Sequence, residues 1–336
     1  GRAGGFGLTI GIDRRGQWDD LMRAGAELVV PDLWPLLHLF RSPHPARKLA
    51  RVLRTHRNLA SIARSISTED WKLHVHDPAP PCTPMLESLL ALSNGWLGVR
   101  GTSEEGTPSF RPGVLLNGFH ETWPIEYGEE AYGFARTGQT IVEAPDGSRI
   151  RLVVDDAHFD PTRSDLVEHR RTLHLDTGIL EREAIWRLHD GARVAIRSRR
   201  LASLADRHLL CLTYEVEALD RPVDVTISSE LVESRHVEST DDAMDPRLRR
   251  RPFTLHPVER QLTDDGALLA YRTERSGLVL TCGMAHEVRS GRCETEVRDE
   301  GSVVRAIHTA QLEPGVPLRL EKFVGYHYSP TRYAAE

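Results

Sequence analysis

The sequence predicts a mainly β protein built around one large antiparallel sandwich, preceded by a short α/β fragment and a helical linker. Three observations carry this expectation. Short runs of alternating apolar and polar residues fill the chain from Trp71 onward; Asp-Gly and Pro-Gly turn signals separate them; and helical periodicity is confined to stretches near the start. At 336 residues the chain is long for one domain, so about two units are expected.

The elements follow in order. Residues 7–13, GLTIGID, form a short apolar run bounded by glycine, QWDDLMRAG reads as a helix, and ELVVPDL reads as a second buried strand. One βαβ unit cannot cover both faces of a sheet, so residues 1–38 either dock elsewhere or are the tail of an α/β domain. The opening, without an initiator Met, is expected of a processed or excised chain. Residues 39–70 form the linker: Leu49, Val52, Leu53, Leu59, Ile62 and Ile66 recur at helical spacing among six basic residues from Arg47 to Arg64. That pattern is read as a connector with a solvated basic face rather than a membrane-binding helix. Residues 71–330 form the sandwich, with strands expected at 141–154 (broken by PDG), 192–203, 208–218, 222–231 and 276–285. Period-two spacing points Leu152, Val194, Ile196, Leu212, Tyr214, Val225, Ile227, Val279 and Val324 inward. The polar stretch 238–252 is expected to be a loop, and 331–336 the start of another linker.

Composition narrows the function. Lys plus Arg is 43 against 49 for Asp plus Glu, a mild net charge of −6 that argues against nucleic acid as the main partner. Cys82, Cys211, Cys282 and Cys293 are far apart and form no CxxC, which speaks against structural zinc and a redox pair and for free thiols. No apolar run approaches the length of a membrane span and no leader opens the chain, so a soluble, cytoplasmic protein is expected, with no membrane partner.

Two short segments stand out: NGWLGVRG at 94–101 and NGFHETW at 117–123. Asn-Gly accepts left-handed backbone angles, so each is expected at a tight turn or hairpin end. Rings, carboxylates and amides close by suit either a sugar, whose C–H faces stack on aromatic rings, or a seam between domains, and the seam is preferred. The candidate substrate-binding or interface residues are Asn94, Arg100, Asn117, Glu121 and Trp123, expected to share one surface region. No catalytic residue and no metal ligand is assigned. Glu104 with Glu105, and Glu129 with Glu130, are adjacent and would face opposite ways on a strand. Ser203, Asp206 and His208 are too crowded to converge as a triad, and His74 with His76 lacks a third ligand.

The runs ESLLALSNGWLGVRGTSEEG, LLNGFHETWPIEYGEEAYGFA, QTIVEAPDGSRI, HLDTGILEREAIW, RSRRLASLADRHLLCLTYEV and LRLEKFVGYHYS together resemble the N-terminal domain of glycoside hydrolase family 65, from about Trp71 to Ser329. That family includes maltose, trehalose and kojibiose phosphorylases and related hydrolases. The resemblance implies a super-sandwich like that of galactose mutarotase, joined to a barrel of paired helices. It also implies that the general-acid glutamate and the phosphate loop belong to that barrel, so no catalytic residue is carried over. Residues 1–38 resemble the C-terminal end of a haloacid-dehalogenase-type phosphatase or β-phosphoglucomutase, whose Mg2+ site would lie upstream. The implied partners are the barrel of the same polypeptide, a disaccharide, inorganic phosphate as co-substrate and a second copy in a homodimer; no cofactor is implied for this chain. The alternatives are a standalone carbohydrate-binding or dimerisation module, or part of a trehalose-phosphate phosphatase fusion.

Overall fold

A computed structural model describes residues 66–76, 84–106, 113–129, 131–233 and 254–329, together with the backbone of 10–12 and 28–30. The chain divides into two units, Gly1–Ser67 and Thr68–Glu336. In the first, β1 (Ile10–Ile12) pairs in parallel with β2 (Leu28–Val30), the arrangement a βαβ unit requires. The segment between them that is expected to be a helix, nearly all of the expected basic linker, the expected loop at 238–252 and residues 331–336 lie outside the described residues.

The remaining elements are almost entirely strands. They run β3 (Ile66–Glu69), β4 (Lys72–Val75), the short helix α1 (Pro84–Leu89), β5 (Leu92–Ser93), β6 (Leu97–Val99), β7 (Val114–Pro124) and β8 (Thr137–Ala144). Then come β9 (Ile150–Val154), β10 (Ala157–His158), β11 (Asp165–His174), β12 (Ile179–Arg187), β13 (Arg193–Ala202), β14 (Leu209–Ala218) and β15 (Val223–Val232). Last are β16 (His256–Leu262), β17 (Ala267–Arg272), β18 (Val279–Ser290), β19 (Glu294–Asp299), β20 (Val303–Leu312) and β21 (Leu318–Ser329). Among the described residues no helix is long and apolar enough to cross a membrane.

The fold is the antiparallel β-sandwich that the alternating pattern predicts. A large sheet has the order β16-β17-β18-β21-β14-β13-β12-β11-β4-β3, and a five-stranded sheet the order β10-β9-β15-β20-β19. A small third sheet, β5-β6-β7-β8, carries both Asn-Gly segments. Along β14 every second residue is buried, so Leu210, Leu212, Tyr214, Val216 and Ala218 form one inward row. All nine positions predicted to point inward are buried. Polar pins cross the interior as well. The ammonium of Lys322 on β21 donates to the carbonyls of Arg149 (3.0 Å) and Glu230 (2.8 Å), and His286 on β18 contacts the Ser229 hydroxyl on β15 (2.7 Å).

Candidate functional site at the paired Asn-Gly segments

The first Asn-Gly is a hairpin end, as predicted. Ser93 on β5 faces Gly98 on β6, and the Asn94 N–H donates to the Leu97 carbonyl (3.1 Å). The Asn94 side-chain oxygen accepts from the N–H groups of Trp96 (3.0 Å) and Leu97 (2.7 Å), while Gly95 takes a φ of +87°. Its amide N–H groups donate to the carbonyls of Ser203 (2.7 Å) and Arg207 (3.0 Å). A single asparagine therefore shapes its own turn and holds the loop joining β13 to β14.

The second Asn-Gly is different from the prediction: it sits inside β7, in a bulge. Leu115 faces Glu143 and His120 faces Ile141, so five steps on β7 match two on β8 and three residues are extruded. The bulge meets the first turn. The Asn117 N–H donates to the Trp96 carbonyl (2.8 Å), and its amide nitrogen reaches the Gly95 carbonyl (3.3 Å). Gly118, at φ +86°, is required twice over, because a Cβ there would also come within 2.3 Å of the Tyr328 hydroxyl. That hydroxyl donates to the Asn117 carbonyl (2.8 Å).

Rings gather at this junction. Trp96 and Tyr328 lie 6.1 Å apart with planes 8° from parallel, His208 meets the Trp96 ring edge-on at 4.2 Å, and His327 lies 5.1 Å from His208. Arg207 Nε donates to His208 Nε2 (3.2 Å), which makes that nitrogen an acceptor and assigns the ring proton to Nδ1, facing the Tyr326 carbonyl at 2.9 Å. Burial, with His208 and Arg207 beside it, holds the His327 pKa below its ordinary value.

The other three candidates have different employment. Glu121 is buried, and its carboxylate accepts from the backbone N–H groups of Thr122 (2.9 Å), Glu274 (2.7 Å), Arg275 (3.1 Å) and Ser276 (2.7 Å). Burial alone would raise its pKa, but these four donors outweigh it and hold the carboxyl low. Trp123 is also buried, its ring lying where a Cβ on Gly138 would come within 2.3 Å. Arg100 pairs with Glu87 on α1 (3.2 Å). Asn94 and Asn117 thus converge on a ring cluster, Glu121 and Trp123 brace β7 from inside, and Arg100 fixes the helix.

Two further groups lie outside the five candidate residues. Glu104 and Glu105 occupy a turn rather than a strand, so both carboxylates reach the same buried Arg182 (3.2 and 2.6 Å) instead of facing opposite ways. Arg200 contacts Glu104 (3.2 Å) and the Thr102 carbonyl (2.6 Å), and the Tyr214 hydroxyl donates to Glu105 (3.2 Å). Burial raises Glu105, whereas for Glu104 the two guanidiniums overcome burial and lower it. The segment Ser203 to His208 is no triad: the Ser203 hydroxyl accepts from the Asp206 N–H (3.0 Å) and Asp206 from the His208 N–H (3.0 Å). Among the described residues no three His, Cys, Asp or Glu side chains gather as a metal site. The ring cluster was hidden because Trp96, His208 and Tyr328 are more than a hundred positions apart, and only the DRH and YHY strings hinted at imidazole beside charge or ring.

Residues 82–335 match the family model for the glycosyl hydrolase family 65 N-terminal domain. The chain belongs to glycosyl hydrolase family 65. It is 42% identical over 250 residues to an uncharacterized glycosyl hydrolase of Mycobacterium tuberculosis, covering 73% of this chain and 31% of that protein. With the α,α-trehalose phosphorylase of Thermoanaerobacter brockii it shares 27% over 271 residues, 78% of this chain and 34% of that one. Its fold is similar to the solved structure of a kojibiose phosphorylase candidate from the human microbiome, with a TM-score of 0.67 at 17% identity, covering 79% of this chain and 33% of the other. The family-65 chain therefore spans about a third of the length of these relatives.

Proposed function

We propose that this chain is the non-catalytic sandwich part of an enzyme that cleaves the α-glucosidic bond of a disaccharide such as trehalose, maltose or kojibiose, with inversion and with phosphate or water as acceptor. The observation that carries the reading is the family match across residues 82–335, supported by relatives named as trehalose and maltose phosphorylases. The non-catalytic part of the reading is supported by how the acidic groups are used. Glycoside cleavage needs a proton donor and a second carboxylate, or a water, flanking the bond. Glu104 and Glu105 are held by Arg182, and Glu121 by four backbone N–H groups.

In the same proposal the partner of the sandwich is a catalytic barrel in the same polypeptide, the work is cytoplasmic, and residues 1–38 are the end of a β-phosphoglucomutase-like domain. The parallel pair β1 and β2 supports that last assignment. Such a neighbour would consume the β-anomer of glucose 1-phosphate that inverting phosphorolysis releases. The test is turnover. The chain is incubated with trehalose, maltose or kojibiose, with and without phosphate, and sugar phosphate and glucose are followed by NMR. No turnover above buffer is expected, and disaccharide cleavage by this chain alone overturns the reading.

A further inference from the structure

The surface where the two Asn-Gly segments meet carries groups that the fold does not use. Many arginines of the described sandwich are paired with carboxylates, as Arg182, Arg193, Arg197 and Arg260 are. Arg207 is held differently. It is exposed, its Nε is aligned by His208 Nε2, and no carboxylate lies within ion-pair distance of its terminal nitrogens among the described residues. Two contacts fix it in place: Asn94 holds its carbonyl at 3.0 Å, and the Tyr326 carbonyl fixes the His208 ring. His327 is exposed at 5.1 Å from His208, so one spot collects a guanidinium and a second imidazole with open ring nitrogens.

Beside this cationic spot lies apolar ring surface in a single orientation. Trp96 and Tyr328 are half-exposed with planes 8° from parallel. The C–H face of a pyranose stacks on such a surface, while a dianionic phosphate suits the planar fork of an arginine next to the His327 imidazole. The Asn117 carboxamide, exposed at the edge, has its oxygen without a protein partner among the described residues and can accept from a sugar hydroxyl. The Asp206 carboxylate, the nearest acid in sequence, accepts the His208 N–H and so stays within its own turn.

We propose that Arg207, His327, Trp96, Tyr328 and Asn117 form a binding site for a sugar phosphate, with the phosphate on Arg207 and the His327 imidazole, His208 holding Arg207 in place, and the pyranose ring against Trp96 and Tyr328. The site lies apart from any chemistry assigned above and needs none to operate. It gives the sandwich a ligand of its own, of the class that phosphorolysis would produce, and the binding test does not depend on turnover.

The experiment titrates the chain with β-glucose 1-phosphate, glucose and inorganic phosphate in separate arms, following the Trp96 indole and His327 imidazole signals by NMR. The sugar phosphate is expected to move both signals in the low-millimolar range or below and to raise the His327 pKa, opposite to the effect of burial and of the neighbouring Arg207. Phosphate alone should move His327 only, and glucose alone neither. Arg207→Gln should weaken sugar phosphate binding about tenfold or more, the loss expected for one charge-assisted contact. Because Arg207 is exposed, that variant should keep the parent's melting temperature; His327→Gln, also exposed, gives a second variant with the same expected direction. Unmoved signals, equal responses to phosphate and sugar phosphate, or full affinity in both variants would each overturn the proposal.

Discussion

Glu121 shows at the scale of one residue how a group that reads as a sugar ligand becomes a brace. Four backbone N–H groups converge on its carboxylate, three of them from the turn at 274–276, more than 150 positions away. An amide in its place keeps one acceptor oxygen and turns an N–H2 toward donors. Glu121→Gln is therefore expected to cost about 1–3 kcal/mol at neutral pH in urea denaturation. The folded pKa is lowered, so the stabilisation is complete above the ordinary carboxyl pKa and is lost as pH falls through the lower folded value. The gap between wild type and variant should close in acid, and a gap independent of pH would count against this account. Arg182 makes the complementary point. Together with Arg200 it balances two buried carboxylates, so Arg182→Met should cost about 3–5 kcal/mol, while adding Glu105→Gln to that variant, which leaves Glu104 paired with Arg200, should recover much of the loss.

At the scale of elements, the strands were legible and the bulge was not. Alternation along β9, β13, β14, β15 and β18 follows from one face meeting the interior and the other water, and that pattern is written locally in the chain. The extrusion of three residues from β7 depends on Tyr328, at the far end of the sequence, reaching the Asn117 carbonyl. Asn-Gly announces left-handed backbone, and both glycines adopt it, but it does not say whether the chain then reverses or rejoins its strand. The site residues divide the same way: Asn94 acts mainly within its own hairpin and could be found, whereas Arg207, His208, His327 and Tyr328 gain meaning only once β13, β14 and β21 are neighbours. Gly118→Ala should thus be worse than Tyr328→Phe. The latter removes one hydrogen bond, about 1 kcal/mol, while the former adds a strained φ and displaces the phenol. Hydrogen exchange at the Asn117 amide, bonded to Trp96, should accelerate in both variants and most in Gly118→Ala.

Across the whole sandwich, the two larger sheets are tied together by Lys322 and the two histidines beside it, a polar group separate from the buried ion pairs of Arg182 and Arg200. Burial lowers the Lys322 pKa to about 7, against the attraction of Asp146 and Glu230, and lowers His286 to about 3 and His308 to about 4, with Lys322 adding to both. These three shifts share a sign. Each group binds its proton more readily in the unfolded chain, so stability rises with pH between the folded and the ordinary pKa. For the histidines that window lies on the acid side of about pH 6.5. For Lys322 it runs from about 7 toward its ordinary 10.5, with an amplitude on the order of 5 kcal/mol. Buried Cys282, whose pKa is raised, works the other way above pH 9, so the lysine is best isolated as a difference. Lys322→Met keeps the volume and removes the charge, leaving the Arg149 and Glu230 carbonyls without their donor. Urea midpoints measured from pH 7 to 9.5 should climb more steeply for wild type than for Lys322→Met, with the two proteins closest at pH 7. Parallel curves would mean that the ammonium keeps its proton throughout, held by the two carbonyls and the carboxylates of Asp146 and Glu230, and that the sheets are joined by a permanent charge.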